Sequence, residues 1–148
     1  MRGSPARPGS PSQVNVLLVS PSDSDRLVLS GLLAGTPWRV LHAHTCGEAA
    51  AILSSTIVPV IIRDHDCCQL GCEHAVRCSL AGPYPAPLVI AAESPDYRLW
   101  EDVIDGGGFE VIAKPFRAEA VTKVLEFAWK HWQAGVIRRS WDHFEFPD

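Results

Sequence analysis

Long apolar runs are missing from this chain: stretches such as Val16-Leu17-Leu18-Val19 are a fraction of the roughly 20 residues needed to cross a bilayer. No transmembrane span is expected, and no membrane partner. Charge is sparse as well, at 20% of residues with a net of −4, and Lys and Arg never gather into a stripe able to neutralise successive phosphates. That excludes DNA or RNA as a partner. A Gly-rich phosphate loop, a nucleophile elbow and a metalloprotease helix are all lacking, which argues against an enzyme with a small-molecule substrate. The opening residues carry Arg2 and Arg7 but no apolar h-region, so they do not read as a secretory signal, and a cytoplasmic location is expected. Five cysteines is an odd number, and in a reducing compartment they are expected as free thiols rather than a disulfide framework.

What the chain does have is enough apolar material for one core: 47% of its 148 residues are hydrophobic, a size and composition that fit a single domain. Residues 1–13, with Pro5, Pro8 and Pro11 among Gly and Ser, cannot bury enough surface to offset their ordering entropy and are read as a disordered leader. From Val14 an alternation begins. Val14 to Val19 reads as a strand, followed by a helix that carries Val28, Leu29, Leu32 and Leu33. Trp38 to Ala43 is a second strand, and Thr45 to Glu48 has the spacing of a capping box ahead of a second helix. Val58 to Arg63 is a third strand ending at Asp64, with a weaker Cys-rich helix from about Leu70 to Leu80. Pro87 to Ala92 is a fourth strand; Ser94 and Pro95 then read as N-cap and first turn of a helix through Tyr97, Trp100, Val103 and Ile104, stopped by Gly106-Gly107-Gly108. Phe109 to Ala113 is the fifth strand, and a last helix from Arg117 sets Val121, Val124, Leu125, Ala128 and Trp132 on one face. Residues 14–132 thus form the domain, and residues 133–148 a C-terminal tail that folds back on the body or caps a dimer.

Nearly continuous apolar strands alternating with helices imply a doubly wound α/β fold, a five-stranded parallel sheet covered on both faces. In such sheets ligands sit at the carboxyl ends of the strands, near a topological switch point. The residues to watch are therefore Ser20, Pro21, Asp64, Ala92 and Lys114.

VIIRD, ending in Asp64, and AKPF, with Lys114, Pro115 and Phe116 ending the fifth strand 50 residues later (64 to 114), complete a pattern. From about Val14 to Trp132 the chain resembles the receiver domain of two-component response regulators, which have a flavodoxin-like fold. The resemblance implies that Asp64 is the phosphoacceptor, that Lys114 pairs with the phosphate, and that the Lys114–Pro115 bond is cis. A carboxylate attacks phosphorus only where nearby cations offset the developing charge, and Lys114 supplies one. The other parts depart from the family. Ser20 and Pro21 stand where two acids hold magnesium, so Asp64 with a backbone carbonyl would bind magnesium weakly. Asp23, Asp25 or Asp66 would substitute only through a shifted loop. Ala92 replaces the hydroxyl residue that contacts the phosphate, and Val111 replaces the aromatic switch residue. The segment after Asp64 also lacks the usual Pro, with Gly71 one residue early.

These departures predict a stand-alone, degenerate receiver that acts in phosphorelay signalling by protein–protein contact and is not an enzyme. The alternative is a conventional phosphoacceptor receiver using Asp64. A reading from another class is a metal- or redox-responsive switch built on the Cys/His cluster of residues 65–78, with Cys68, Cys72 and His74 as ligands, although its spacing matches no two-by-two zinc pattern and small buried thiols are the commoner outcome. His42 and His44 alternate along the second strand on one side and are expected in solvent at its end. In the family the surface that includes Trp100, Val111 and Trp129 docks partners, and exposed aromatics there would be anchors. The partner implied is a histidine kinase or another signalling protein, with a homodimer as a further arrangement.

Overall fold

The computed structural model of the chain describes residues 13–67 and 85–142, with side chains through residue 137. Five strands, β1 (Val14–Val19), β2 (Trp38–Ala43), β3 (Val60–Asp64), β4 (Leu88–Ala92) and β5 (Glu110–Ala113), form one parallel sheet in the order β2-β1-β3-β4-β5. Strand order reverses at β1, whose carboxyl end lies beside that of β3. This is the switch point at which α/β sheets open a crevice. The helices described are α1 (Asp23–Leu32), α2 (Cys46–Ser55), α3 (Tyr97–Asp105) and α4 (Ala118–Asp142).

The pleat divides the core in two. Val16, Leu18, Val60, Ile62, Val89, Ala91 and Ile112 face α1 and α4, where Leu29, Leu33, Val121, Leu125 and Ala128 cover them. Their alternating neighbours Leu17, Val19, Ile61, Leu88 and Ile90 meet Ala49 and Leu53 of α2 and Val103 of α3. All residues of β3 and β4 are buried, as strands covered on both faces must be.

Local signals set the element ends. Ser22 caps α1, accepting the backbone N–H of Asp25 at 3.2 Å. The capping box at Thr45 forms: its hydroxyl accepts the Glu48 N–H at 3.1 Å, while the Glu48 carboxylate accepts backbone N–H groups of His44 and Thr45. α3 departs from expectation, because its N-cap is Asp96, which accepts the Leu99 N–H at 2.8 Å; Ser94 and Pro95 precede the helix. A carboxylate there also complements the helix dipole. After α3 the chain turns at Gly107 (φ +93°), and a Cβ on Gly108 would stand 2.5 Å from Val103 Cγ1, so the glycine run both turns the chain and lets it pass close under α3. β3 begins at Val60, with Val58 and Pro59 buried ahead of it. α4 does not stop near Trp132 but continues to Asp142, so residues expected as the start of a tail belong to the helix. The Cys-rich helix expected from about Leu70 to Leu80 lies outside the described residues, as do residues 1–12 and 143–148.

Candidate functional site

Three elements converge on the crevice: the carboxyl ends of β1 and β3, and the turn after β5. Asp64, the last residue of β3, is buried, and its Oδ1 lies 3.2 Å from Lys114 Nζ. Lys114 follows β5, is tied to β4 by its N–H to the Ala92 carbonyl at 2.8 Å, and precedes a cis bond to Pro115. The two residues singled out by sequence therefore meet.

A third residue joins them. Asp25 Oδ2 lies 3.0 Å from Lys114 Nζ, so the ammonium is held between two carboxylates. The same Asp25 oxygen accepts the Ser20 hydroxyl at 2.8 Å, and the Ser20 oxygen in turn accepts the Ser22 N–H at 3.1 Å. Ser20 is fully buried, and its hydroxyl serves to fix Asp25. A shifted loop is not needed to bring an acid here. With Ser22 as N-cap, Asp25 falls in the first turn of α1, which points back at the strand end. That spacing, Ser22 before Asp25, was the signal in the sequence. Asp23 turns instead toward His44, and the Asp66 backbone N–H makes a long contact to Asp64 Oδ1, at 3.5 Å.

Burial works against the charge on Lys114, but the hydrogen bonds it donates to Asp25 and Asp64, with their Coulombic field, outweigh it and hold its pKa above the ordinary lysine value. Beside this trio is an open cleft of about 470 Å³ lined by Ser24, Asp25, Val28, Glu93, Ser94, Lys114, Pro115 and Phe116. Ala92 offers only a methyl group, yet Ser94, two residues on, lines the cleft. Pro21 brings no side-chain ligand. Among the described residues, the two carboxylates that meet here, Asp25 and Asp64, are already engaged with one ammonium, and Glu93 stands further along the cleft wall. That fits a magnesium ion poorly, since such an ion demands well-placed, charged oxygens.

The remaining expected residues do not gather into one site. Trp100 is 39% exposed on α3, stacks on Tyr97 with centroids 5.8 Å apart, and donates its indole N–H to Glu110 Oε1 at 2.8 Å. Val111 instead packs against the cluster under α2 and α3. Trp129 turns inward to the other cluster, edge-to-face with Trp38 at 6.1 Å. Of these residues Trp100 is exposed, with Tyr97 beside it, whereas helix register turns Trp129 toward the sheet. Cys68, Cys72 and His74 lie outside the described residues, while Cys46 and Cys67 are partly buried. His42 was expected in solvent, but its side chain is only 7% exposed: it lies on the α1 face of the edge strand, with Nε2 2.9 Å from the Ser20 carbonyl.

No protein-family model matches the chain, and no curated protein does. Solved structures do. The signal receiver domain of a protein described as a Luxo repressor from Vibrio parahaemolyticus superposes with a TM-score of 0.73 at 19% identity, over 84% of this chain and 96% of that one. Chemotaxis protein CheY4 from Vibrio cholerae gives 0.67 at 23% identity, over 79% and 99%. The receiver domain of a sensor histidine kinase from Pseudomonas aeruginosa, with a magnesium ion coordinated in its active-site cleft, gives 0.68 at 18%, over 80% and 99%. The fold of this chain is the flavodoxin-like fold of receiver domains.

Proposed function

We propose that this chain is a signalling module of the two-component type, a receiver whose phosphoacceptor site is degenerate and which acts by binding other proteins. The observation that carries this reading is the position of Lys114, held at 3.0 Å and 3.2 Å between Asp25 and Asp64. An incoming phosphoryl group needs that cation, and here an internal carboxylate already occupies it. Phosphoryl transfer depends almost wholly on positioning and on offsetting charge. Ser20, Pro21 and Ala92 take away three further contributions to it. The partner is a histidine kinase or another signalling protein, and the face carrying Tyr97 and Trp100 is the aromatic surface open to it. Among the described residues, no helix is long and apolar enough to cross a membrane, in keeping with a cytoplasmic module. We assign it no enzymatic turnover.

The second reading, a conventional phosphoacceptor, draws support from the same geometry: Asp64 meets Lys114, Asp25 supplies a second acid, and Ser94, a hydroxyl residue, lines the cleft. Acetyl phosphate and magnesium, read by intact mass beside an Asp64→Asn control, separate the two. No adduct at high donor concentration supports the degenerate module. A magnesium-dependent adduct lost in the control overturns it in favour of the conventional receiver.

A further inference from the structure

Along the same edge of the sheet, outside the Asp64 crevice, three side chains from two elements converge. His42 and His44 stand on one face of the β2 end, and Asp23 opens α1 opposite them. His44 Nε2 lies 2.8 Å and His42 Nδ1 3.8 Å from the same Asp23 Oδ1, and the two imidazole centroids are 4.2 Å apart. Among the described residues this is the group in which one ligand atom from each of three His, Cys, Asp or Glu side chains falls within 4.8 Å of the others. With metal–ligand bonds of about 2.0–2.1 Å, a tetrahedral ion sets its ligands roughly 3.3 Å apart. The observed 2.8 and 3.8 Å bracket that spacing.

Both imidazoles are also oriented from behind, as metal-binding histidines usually are. His42 Nε2, 2.9 Å from the Ser20 carbonyl, has only an acceptor facing it and must carry the proton, which leaves the Nδ1 lone pair directed toward Asp23. His44 Nδ1 lies 3.4 Å from Glu48 Oε2, so a proton kept on Nδ1 has a carboxylate to go to, and Nε2, which faces Asp23, is the nitrogen the ion would take. Glu48 is itself held by the capping box. Two histidines with the correct nitrogen turned inward, each backed by an acceptor, are more than an exposed ion pair requires.

We propose that Asp23, His42 and His44 bind a divalent transition-metal ion of the zinc class, which pins the first turn of α1 to the end of β2. Neutral imidazole with carboxylate is the donor set such ions take, and Asp23 and His44 are exposed enough for water to complete the coordination. The ion displaces the proton shared in the Asp23–His44 pair. Because His42 leans on the Ser20 carbonyl and Ser20 holds Asp25, the metal would sit behind the Asp25–Lys114–Asp64 trio. The inference is independent of whether Asp64 accepts a phosphoryl group.

The test is titration of the chelator-treated full chain with Co²⁺, and with Zn²⁺ against a chromophoric chelator. One equivalent of Co²⁺ is expected, with visible d–d bands and no thiolate charge-transfer band in the near ultraviolet. Asp23→Ala and His44→Ala, at exposed positions where far-ultraviolet circular dichroism should confirm an intact fold, are expected to weaken binding by at least about 100-fold, and Glu48→Gln by roughly 10-fold. Three results would overturn the proposal: no stoichiometric uptake, a thiolate-to-cobalt band that places the ion on cysteines, or an affinity unchanged in His44→Ala.

Discussion

Lys114 serves two carboxylates, and their contributions can be separated. Removing the ammonium leaves Asp25 and Asp64 converging on a low-exposure site with no cation between them, so Lys114→Ala is expected to lower stability by about 1–3 kcal/mol in urea denaturation. Asp25→Asn, which keeps Asp64 as partner, should lose less, and the double variant should show coupling between the two sites. A pH dependence follows from the raised Lys114 pKa. A group whose folded pKa is raised contributes in full below its unfolded value, here close to 10.5, and loses that contribution as pH rises through the folded value. The trio therefore persists across the neutral range. Wild-type stability should show an alkaline loss beyond 10.5 that is absent from Lys114→Met; identical alkaline curves for the two proteins would contradict the assignment. Of this site, Asp64 and Lys114 were legible in the sequence because the first ends, and the second directly follows, a strand that the apolar pattern marks. Asp25 was expected here only through a shifted loop, because its place depends on Ser22 capping α1 and so fixing where the first turn starts.

At the scale of elements, the strands were legible almost to the residue, since each is a short apolar run bounded by Pro, Ser, Asp or Gly. Helix ends were less so. Asp96 caps α3 where Ser94 was expected, because three potential caps or breakers stand in a row and only the backbone decides among them. Asp96→Ala should cost about 1 kcal/mol through the lost cap, with Ser94→Ala close to neutral for stability; the reverse order would contradict the assignment. The α3–β5 turn offers a sharper test. Gly108→Ala would press a methyl group to 2.9 Å of the Val103 carbonyl oxygen, against backbone that cannot swing aside. A loss of about 1–3 kcal/mol is expected by thermal denaturation. α4 ran past its expected end because the polar and apolar residues after Trp132 carry no Gly or Pro strong enough to stop a helix that already has packing behind it; Gly135 sits within it with open space around its Cα.

The whole molecule is one sheet shared by two cores, and that sharing sets how it should unfold. Every strand gives alternate side chains to opposite faces, so neither layer of helices can detach without exposing the back of the strands that the other layer buries. Two independent transitions would require a seam, and the sheet has none among its described strands. The tryptophans report on both layers: Trp38 and Trp129 meet on the α4 face, while Trp100 lies on α3 over the other. Leu125, fully buried under α4, is the lever. Leu125→Ala should destabilise by about 2–5 kcal/mol, since the methylenes it removes leave a cavity against the sheet. If the faces are coupled as the pleat implies, that single loss on the α4 side shifts the Trp100 signal by the same amount as the Trp38 and Trp129 signals. This is measurable in single-tryptophan variants during urea unfolding. A Trp100 transition left in place while the other moves would mean that α3 rides on the sheet as a separate unit, and the aromatic face proposed for partners would then open without the core.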